Sequence, residues 1–463
     1  MNADIAFTGA AEQARMLARG QITAPELVEL YLDRINRLDQ ELRAYRVVLA
    51  DAARAQAAVA QQRLDAGERL PLLGVPLAIK DDVDVAGEVT TMGCGSYGPA
   101  KTEDAEVVRR LRAAGAVILG KTAVPELCLW PFTESVTFGA TRNPWDPART
   151  PGGSSGGTAA AVAAGLAPLG LGSDGGGSIR IPATWCGLFG VKPQRDRVPL
   201  APHDNVWYGL SVNGPLARTV EDAALFLDLT TATPAPDGGF ITAAARPPNR
   251  LRIALSAKVP PPLVARVGTA QQTALDEAEK LLRDLGHDVV RRDPHYPAAA
   301  TLAGFIPRYL RGTRDEMAGV PRPEVLESRT RGMARLGGLF SDRRMDAVLA
   351  AESAITERVL RIFDDVDVVI TPGTATGPSR IGAYQRRGAI ATLYLIGARV
   401  PFQEVFNVTG QPAAVLPWGL DDQGVPLSVQ LVGRPFDEAT LLALSAQIEA
   451  ARPWAQRRPP VSS

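Results

Sequence analysis

Apolar residues near the start of the chain recur with a helical period. Leu27, Leu30, Tyr31, Ile35 and Leu38 fall on one stripe, which predicts an amphipathic helix. Thr23-Ala-Pro-Glu26 opens it as a capping box, with Pro25 in the first turn. The following "LRAYRVVLADAARAQAAVAQQRLDAG" continues in helix formers and is expected to stop at Gly67. Then the pattern changes. Val75 to Ile79 is a short apolar run bounded by Gly74 and a charged cluster, so a buried strand ending at Lys80 is predicted. "DAEVVRRLRAAGA" reads as an amphipathic helix and "VILGK" as another strand. This alternation runs to about residue 230 and resumes in "RLRIALSA", a helix near 270–285, "HDVVRRD" and "DVDVVITPG". "LSVQLVGRP" reads as a strand, and "DEATLLALSAQIEA" as a closing helix capped by Asp437. Residues 300–365 are Arg-rich and mainly helical in pattern, as a cap would be. "TTATPAPDGG" is turn-rich, but the same alternation follows it, so no domain boundary is placed there. Strand–helix alternation of this kind predicts an α/β fold with a largely parallel or mixed sheet under helices.

Composition narrows the function classes. The chain has 463 residues, of which 46% are hydrophobic, enough for a large core. Fifty basic and fifty acidic side chains cancel, which argues against a nucleic-acid or anionic-membrane partner. The three cysteines, Cys94, Cys128 and Cys186, are scattered and lack zinc spacing. A reducing, cytoplasmic setting without a disulfide frame fits them. The N-terminus shows no signal-peptide pattern, and no uncharged run resembles a membrane span. Only six lysines occur (Lys80, Lys101, Lys121, Lys192, Lys258 and Lys280) among many arginines.

Three motifs compete for the chemistry. Gly115-Ala-Val-Ile-Leu-Gly120-Lys121-Thr122 matches a phosphate-loop string. Its middle residues favour a buried strand over an open loop, and Pro125 follows too soon for a helix. Gly152-Gly-Ser154-Ser-Gly156 matches the nucleophile elbow of hydrolases. That reading needs a histidine base, and His203, His287 and His295 sit in no supporting motif. The third reading pairs a serine nucleophile with a lysine base. Arginine stays protonated, whereas a desolvated lysine can act as a base. Lys80, at the end of an apolar strand, is the candidate; pairing with Asp81, Asp82 or Asp84 is the plainer role. Asp174-Gly-Gly-Gly-Ser178 presents consecutive unobstructed amides, suited to an oxyanion. Asp174 and Arg180 together would hold that loop. A linker reading of "GGSSGG" fails because "TAAAVAAGL", a strong helix former, follows directly.

"GGSSGGTAAAVAAGLAPLGLGSDGGGSIRIPATWCGLFGVKP" resembles the signature of the amidase signature family. "GVPLAIKDDVDVAG", "GKTAVPEL", "FGATRNPWDPARTPGGSSGG" and "FNVTGQPAAVLPWGLDDQGVPLSVQLVGRPFDEATLL" extend the likeness over about residues 20–455. The resemblance implies one domain over residues 1–463, an α/β/α sandwich with a large mixed central β-sheet. Its family-like core would span about 65–230 and 366–450, with a helical cap at about 300–365. It implies a Ser–cis-Ser–Lys triad of Ser178 (nucleophile), Ser154 (bridge) and Lys80 (base). The oxyanion hole would be the amides of Gly175, Gly176, Gly177 and Ser178. Ser155, Asp174 and Arg180 would support it, and neither a metal nor an organic cofactor is needed. Where the family often has T-x-G-R, this chain has Gln194-Arg-Asp-Arg, which reshapes a loop without touching the triad.

By position in the family, the substrate pocket is expected at Cys128, Trp130, Thr133, Glu134, Trp207, Gly373, Thr374 and Ala375. The implied activity is hydrolysis of linear carboxylic amides, aryl or aliphatic, with esters and carbamates as related substrates. The partner would be a small-molecule amide, and the enzyme a cytoplasmic bacterial monomer or homodimer. One alternative, from another class, is a nucleotide-binding protein using Gly115–Thr122. The other is a glutamine-hydrolysing amidotransferase subunit.

Overall fold

The computed structural model of the chain describes residues 3–95 and 97–462. Thirteen strands are present among them: β1 (Tyr45–Val48), β2 (Pro76–Lys80), β3 (Val117–Thr122), β4 (Glu134–Ser135), β5 (Gly139–Ala140), β6 (Leu169–Asp174), β7 (Phe189–Lys192), β8 (Val212–Ala217), β9 (Arg252–Leu255), β10 (Asp288–Arg291), β11 (Val368–Pro372), β12 (Ala413–Leu420) and β13 (Pro426–Val432). β4 and β5 form a separate small hairpin; the other eleven make one mixed sheet, ordered β1-β3-β2-β6-β8-β7-β12-β13-β11-β9-β10. The trio β3-β2-β6 is parallel, as is β11-β9-β10. The strands between them run antiparallel.

Every residue of β2 and β3 is buried. Strands covered on both faces read as continuous apolar runs, which is why "PLAIK" and "VILGKT" are legible. Helices cover the sheet. Gly156–Ala163 packs on β2, β6 and β8, and Arg180–Cys186 packs on β7, β12 and β13. The capping box forms as predicted: Thr23 Oγ1 accepts from the Glu26 amide, and the Glu26 carboxylate accepts from the Thr23 amide.

One expectation fails. The helix through residue 42 does not run on to Gly67. Arg43 turns left-handed (φ 51°) and ends it, β1 intervenes, and a second helix covers Ala50–Asp65. β1 exists because Tyr45–Val48 pairs with β3 at the sheet edge, a long-range gain that local helix propensity does not register. The phosphate-loop string is the turn at Gly115 followed by buried β3. Lys121 is paired with Asp81 at 3.0 Å, with both side chains fully buried. Residues 300–364 are mainly helical, as the pattern implies. An aromatic cluster containing Trp130, Trp185, Trp207, Phe305 and Tyr309 joins this region to the core. No helix among the described residues is long and apolar enough to cross a membrane.

Candidate active site

Parallel strands carry functional residues at their C-terminal ends, and β2 and β6 are such neighbours. Lys80 closes β2, while Ser173 and Asp174 close β6. Lys80 is fully buried. Its Nζ lies 2.7 Å from Ser154 Oγ, 2.6 Å from Ser173 Oγ and 3.1 Å from Asp82. Ser173 in turn donates to Asp82 at 2.5 Å. Lys80 thus has both the plain pairing with Asp82 and a hydroxyl contact to Ser154.

Ser154 follows a cis peptide from Gly153. The loop cannot carry a side chain at Gly153, where a Cβ would sit 2.4 Å from Trp130 O. The Gly–Ser cluster is therefore a packed turn leading into helix Gly156–Ala163, not a linker. Ser155 ties this turn to the second cluster. Its amide donates to Ser178 O at 3.1 Å, and its hydroxyl donates to Ser173 O at 3.2 Å. Ser154, Ser173 and Ser178 line one small cavity of about 30 Å³ with Gly175, Asp82 and Cys128. Burial pushes the Cys128 thiol well above its ordinary range, so it stays protonated there.

The second cluster is shaped by Asp174, whose side chain is fully buried. Asp174 accepts from Arg180 Nε and Nη2 at 3.0 Å each, and from Asn407 Nδ2 at 2.9 Å. Burial alone would raise this carboxyl; the Arg180 guanidinium and the Asn407 amide outweigh it and hold it well below the carboxylate range. Arg180 is further held by Gln403 O, Gln430 Oε1 and Asn407 Oδ1.

Asp174 also takes the Gly177 amide at 2.6 Å. Of the four amides expected to face an oxyanion, Gly177's is thus already committed. Those of Gly175, Gly176 and Ser178 have no acceptor among the described residues. Gly177 itself must be glycine: its φ is +115°, and a Cβ would meet the Gln403 side chain at 2.8 Å.

Ser178 and Trp207 also line a larger cavity of about 270 Å³. Its walls are Leu129, Pro131, Ile181, Phe305, Tyr309 and residues of helix Ala389–Gly397. Trp207 stacks edge-on to Tyr309 at 5.1 Å and covers Gly175. The other pocket expectations fall elsewhere. Cys128 lines the small cavity only, whereas Trp130, Thr133, Glu134, Gly373 and Thr374 line neither. Thr133 donates to Gly152 O at 2.8 Å, and Glu134 accepts from the Gly382 amide at 3.2 Å. Thr374 accepts from Trp185 Nε1 at 3.2 Å, and Gly373 O accepts from Gln403. Trp130 stacks on Phe132. These contacts tie them to the surrounding loops, and Glu134 borders a separate cavity beside Arg329. Sequence neighbours Leu129 and Pro131 face inward instead. Gln194 and Arg197 bind Glu438, away from both cavities.

Sequence reasoning does not single out Ser173. Its signal is its place one residue before Asp174 on a strand, where alternation turns it to the opposite face.

Known proteins match over nearly the whole chain. The amidase family model matches residues 26–442. A Mycobacterium tuberculosis (strain ATCC 25618 / H37Rv) protein named as an amidase, AmiB2, is 69% identical over 459 residues, covering 99% of each chain. A solved 6-aminohexanoate cyclic dimer hydrolase with bound substrate superposes with a TM-score of 0.89 at 31% identity, covering 99% of this chain and 100% of that one. A bacterial aryl acylamidase structure gives a TM-score of 0.85 at 26% identity, covering 97% of both chains. A glutamyl-tRNA(Gln) amidotransferase chain from Roseiflexus castenholzii is 37% identical over 495 residues, covering 97% of each chain. With this coverage, the chain belongs to the amidase signature family and is a hydrolase acting on amides.

Proposed function

We propose that this enzyme cleaves the C–N bond of small linear amides through an acyl-enzyme on Ser178. The observation carrying this reading is the 2.7 Å contact of buried Lys80 Nζ with Ser154 Oγ, in a cavity that Ser154 shares with Ser178. Ser178 Oγ attacks the carbonyl carbon while its proton passes to Ser154, and the Ser154 proton passes to Lys80. The carbonyl oxygen becomes an oxyanion, for which the Gly175, Gly176 and Ser178 amides are the uncommitted donors. Collapse breaks the C–N bond as the relay returns a proton to the leaving nitrogen. Water then attacks the ester by the same relay run again, freeing the acid and Ser178. Asp82 and Ser173 fix Lys80 from its other side.

The apolar wall beside Ser178 suits an aliphatic or aryl group, as in the amides that the aryl acylamidase neighbour's name implies. A glutamine substrate would bring a carboxylate to that wall, whose lining residues include no cation, so stand-alone hydrolysis is the better reading. The test is fluorophosphonate labelling followed by peptide mass mapping. An adduct on Ser178 that is lost in Lys80→Ala is expected; an adduct on Ser154, or none, overturns the assignment.

A further inference from the structure

Besides Ser178, Trp207, Tyr309 and Tyr394, two residues with polar side chains border the large cavity, Glu404 and Thr301, and each buries an oxygen, Glu404 Oε1 and Thr301 Oγ1. The residues are only 6% and 3% exposed, and neither atom has a hydrogen-bond partner among the described residues. Folded proteins rarely leave such atoms unpaired unless something else supplies the partner. The two come from elements that pack on each other. Glu404 opens helix Glu404–Val408, and Thr301 lies in the π-helical turn Ala300–Phe305. A π-turn is uncommon and recurs at functional sites.

The surroundings restrict what the partner can be. The same cavity is lined by Gly176 and Ser178, so a group reaching Glu404 belongs to a molecule lying against the candidate nucleophile. Its mouth carries Leu302, Ile390 and Tyr394, all exposed, which favours an apolar chain entering there. Arg180, the nearby cation, is already committed to Asp174, Gln430 and Asn407. Burial pushes the Glu404 carboxyl up to about 8, against the pull of its own and the Gln403 backbone amides and of Arg180. A carboxyl so placed accepts from an amide N–H while neutral, and it forms an ion pair with an amine that enters as the free base and takes its proton, becoming the ammonium.

We infer that Glu404, seconded by Thr301, is a specificity anchor, and that the substrate is an amide whose apolar chain carries a further N–H donor, an ammonium or a second amide. This rests on Ser178 being the nucleophile. Glu404 bonds the distal N–H and Thr301 supplies a second polar contact. The apolar stretch between fills the aliphatic wall, and the scissile carbonyl lies at Ser178.

The test uses the purified full chain and three p-nitroanilides of matched length. One has a plain alkanoyl chain, one an ω-ammonium, one an ω-acetamido group. Each is assayed for turnover and, for slow cases, for competition against fluorophosphonate labelling of Ser178. Wild type is expected to prefer an N–H-bearing compound over the alkyl one by about 10–100-fold in kcat/KM. Glu404→Leu collapses that ratio, mainly through KM; Thr301→Val reduces it less. Glu404→Gln, neutral but still an acceptor, retains the acetamido preference and loses the ammonium one, which separates the two donors. Ratios within one sample do not depend on the folded fraction. A ratio unchanged in Glu404→Leu, or a wild type favouring the alkyl chain, overturns the anchor while Ser178 labelling keeps the hydrolase reading. Absence of labelling at Ser178 overturns both.

Discussion

Asp174→Asn tests whether the glycine loop is held by charge or merely by shape. The substitution preserves volume and one acceptor oxygen. It removes the anion that faces two Arg180 N–H groups at 3.0 Å and the Gly177 amide at 2.6 Å. Stripping one member from a buried ion pair costs about 3–5 kcal/mol, because the other charge is left without compensation. Arg180 keeps three neutral acceptors, on Gln403, Gln430 and Asn407, which favours the low end of that range. A loss of about 3 kcal/mol at a urea slope of about 3 kcal/mol/M moves the unfolding midpoint by about 1 M. Tryptophan fluorescence reads this directly.

The effect also has a pH signature. Asp174 is held below its unfolded value, so its stabilisation is complete above about pH 4 and is lost as pH falls through the folded value. The gap between wild type and Asp174→Asn is therefore expected to be flat from about pH 5 to 8 and to shrink below about pH 4. Adding Arg180→Gln should recover part of the loss, since the orphaned cation is then gone. A midpoint shift under about 0.2 M, or a double variant that is simply additive, would refute the charge argument.

Lys80→Ala is expected to lower amide turnover by about 10²–10⁴-fold, the usual worth of a positioned base, checked by kcat on any accepted amide alongside a melting curve. Gly153→Ala forces a Cβ to 2.4 Å from Trp130 O and 2.7 Å from the Phe132 amide, so the loop must shift. Loss of Ser178 labelling with a lowered melting temperature is expected, and full activity would count against the packed-turn description. Glu404 is held protonated up to about 8 when folded, so wild type loses stability as pH rises from its ordinary 4.5 towards that value. Glu404→Gln does not titrate; its advantage over wild type should grow between about pH 5 and 8, by up to about 1.4 kcal/mol per pH unit, in urea titrations of unliganded enzyme. A constant gap would mean that Glu404 is ionised when folded.

What is legible in the sequence follows from how far each signal reaches along the chain. Lys80 is noticed because a lysine closing an apolar run asks for a reason, but β7 ends in buried Lys192 in the same way, so the strand end alone does not separate the two. The helix starts at Thr23 and Asp437 are readable because a cap and its amide lie three residues apart. β1 is not readable, since its pairing partner, Thr122 on β3, is far along the sequence from Tyr45. Four consecutive amides in a glycine run look equivalent in sequence. Only the folded direction of the Asp174 carboxylate shows that Gly177's is taken. Pocket residues fare worst, because adjacency along the chain says nothing about facing. Leu129 and Pro131 line the cavity while Trp130 between them stacks on Phe132. Glu404 and Thr301 meet the same cavity from segments about a hundred residues apart, so no local pattern joins them.

The two polar systems beside Ser178 are built on opposite terms. Around Asp174 every oxygen and guanidinium nitrogen of the ion pair has a partner, which fixes the glycine amides before any substrate arrives. Preorganised donors need no reorganisation when charge develops on the substrate. Around Glu404 an oxygen is buried and unmatched, which lowers the stability of the empty enzyme. Such a cost is sustained where binding relieves it, because the relief is then available only to a molecule carrying the missing donor. On the proposed reading, one arrangement sets the reaction and the other selects what undergoes it. The division predicts that lesions at Asp174 depress kcat for every amide, whereas lesions at Glu404 reorder amides by KM.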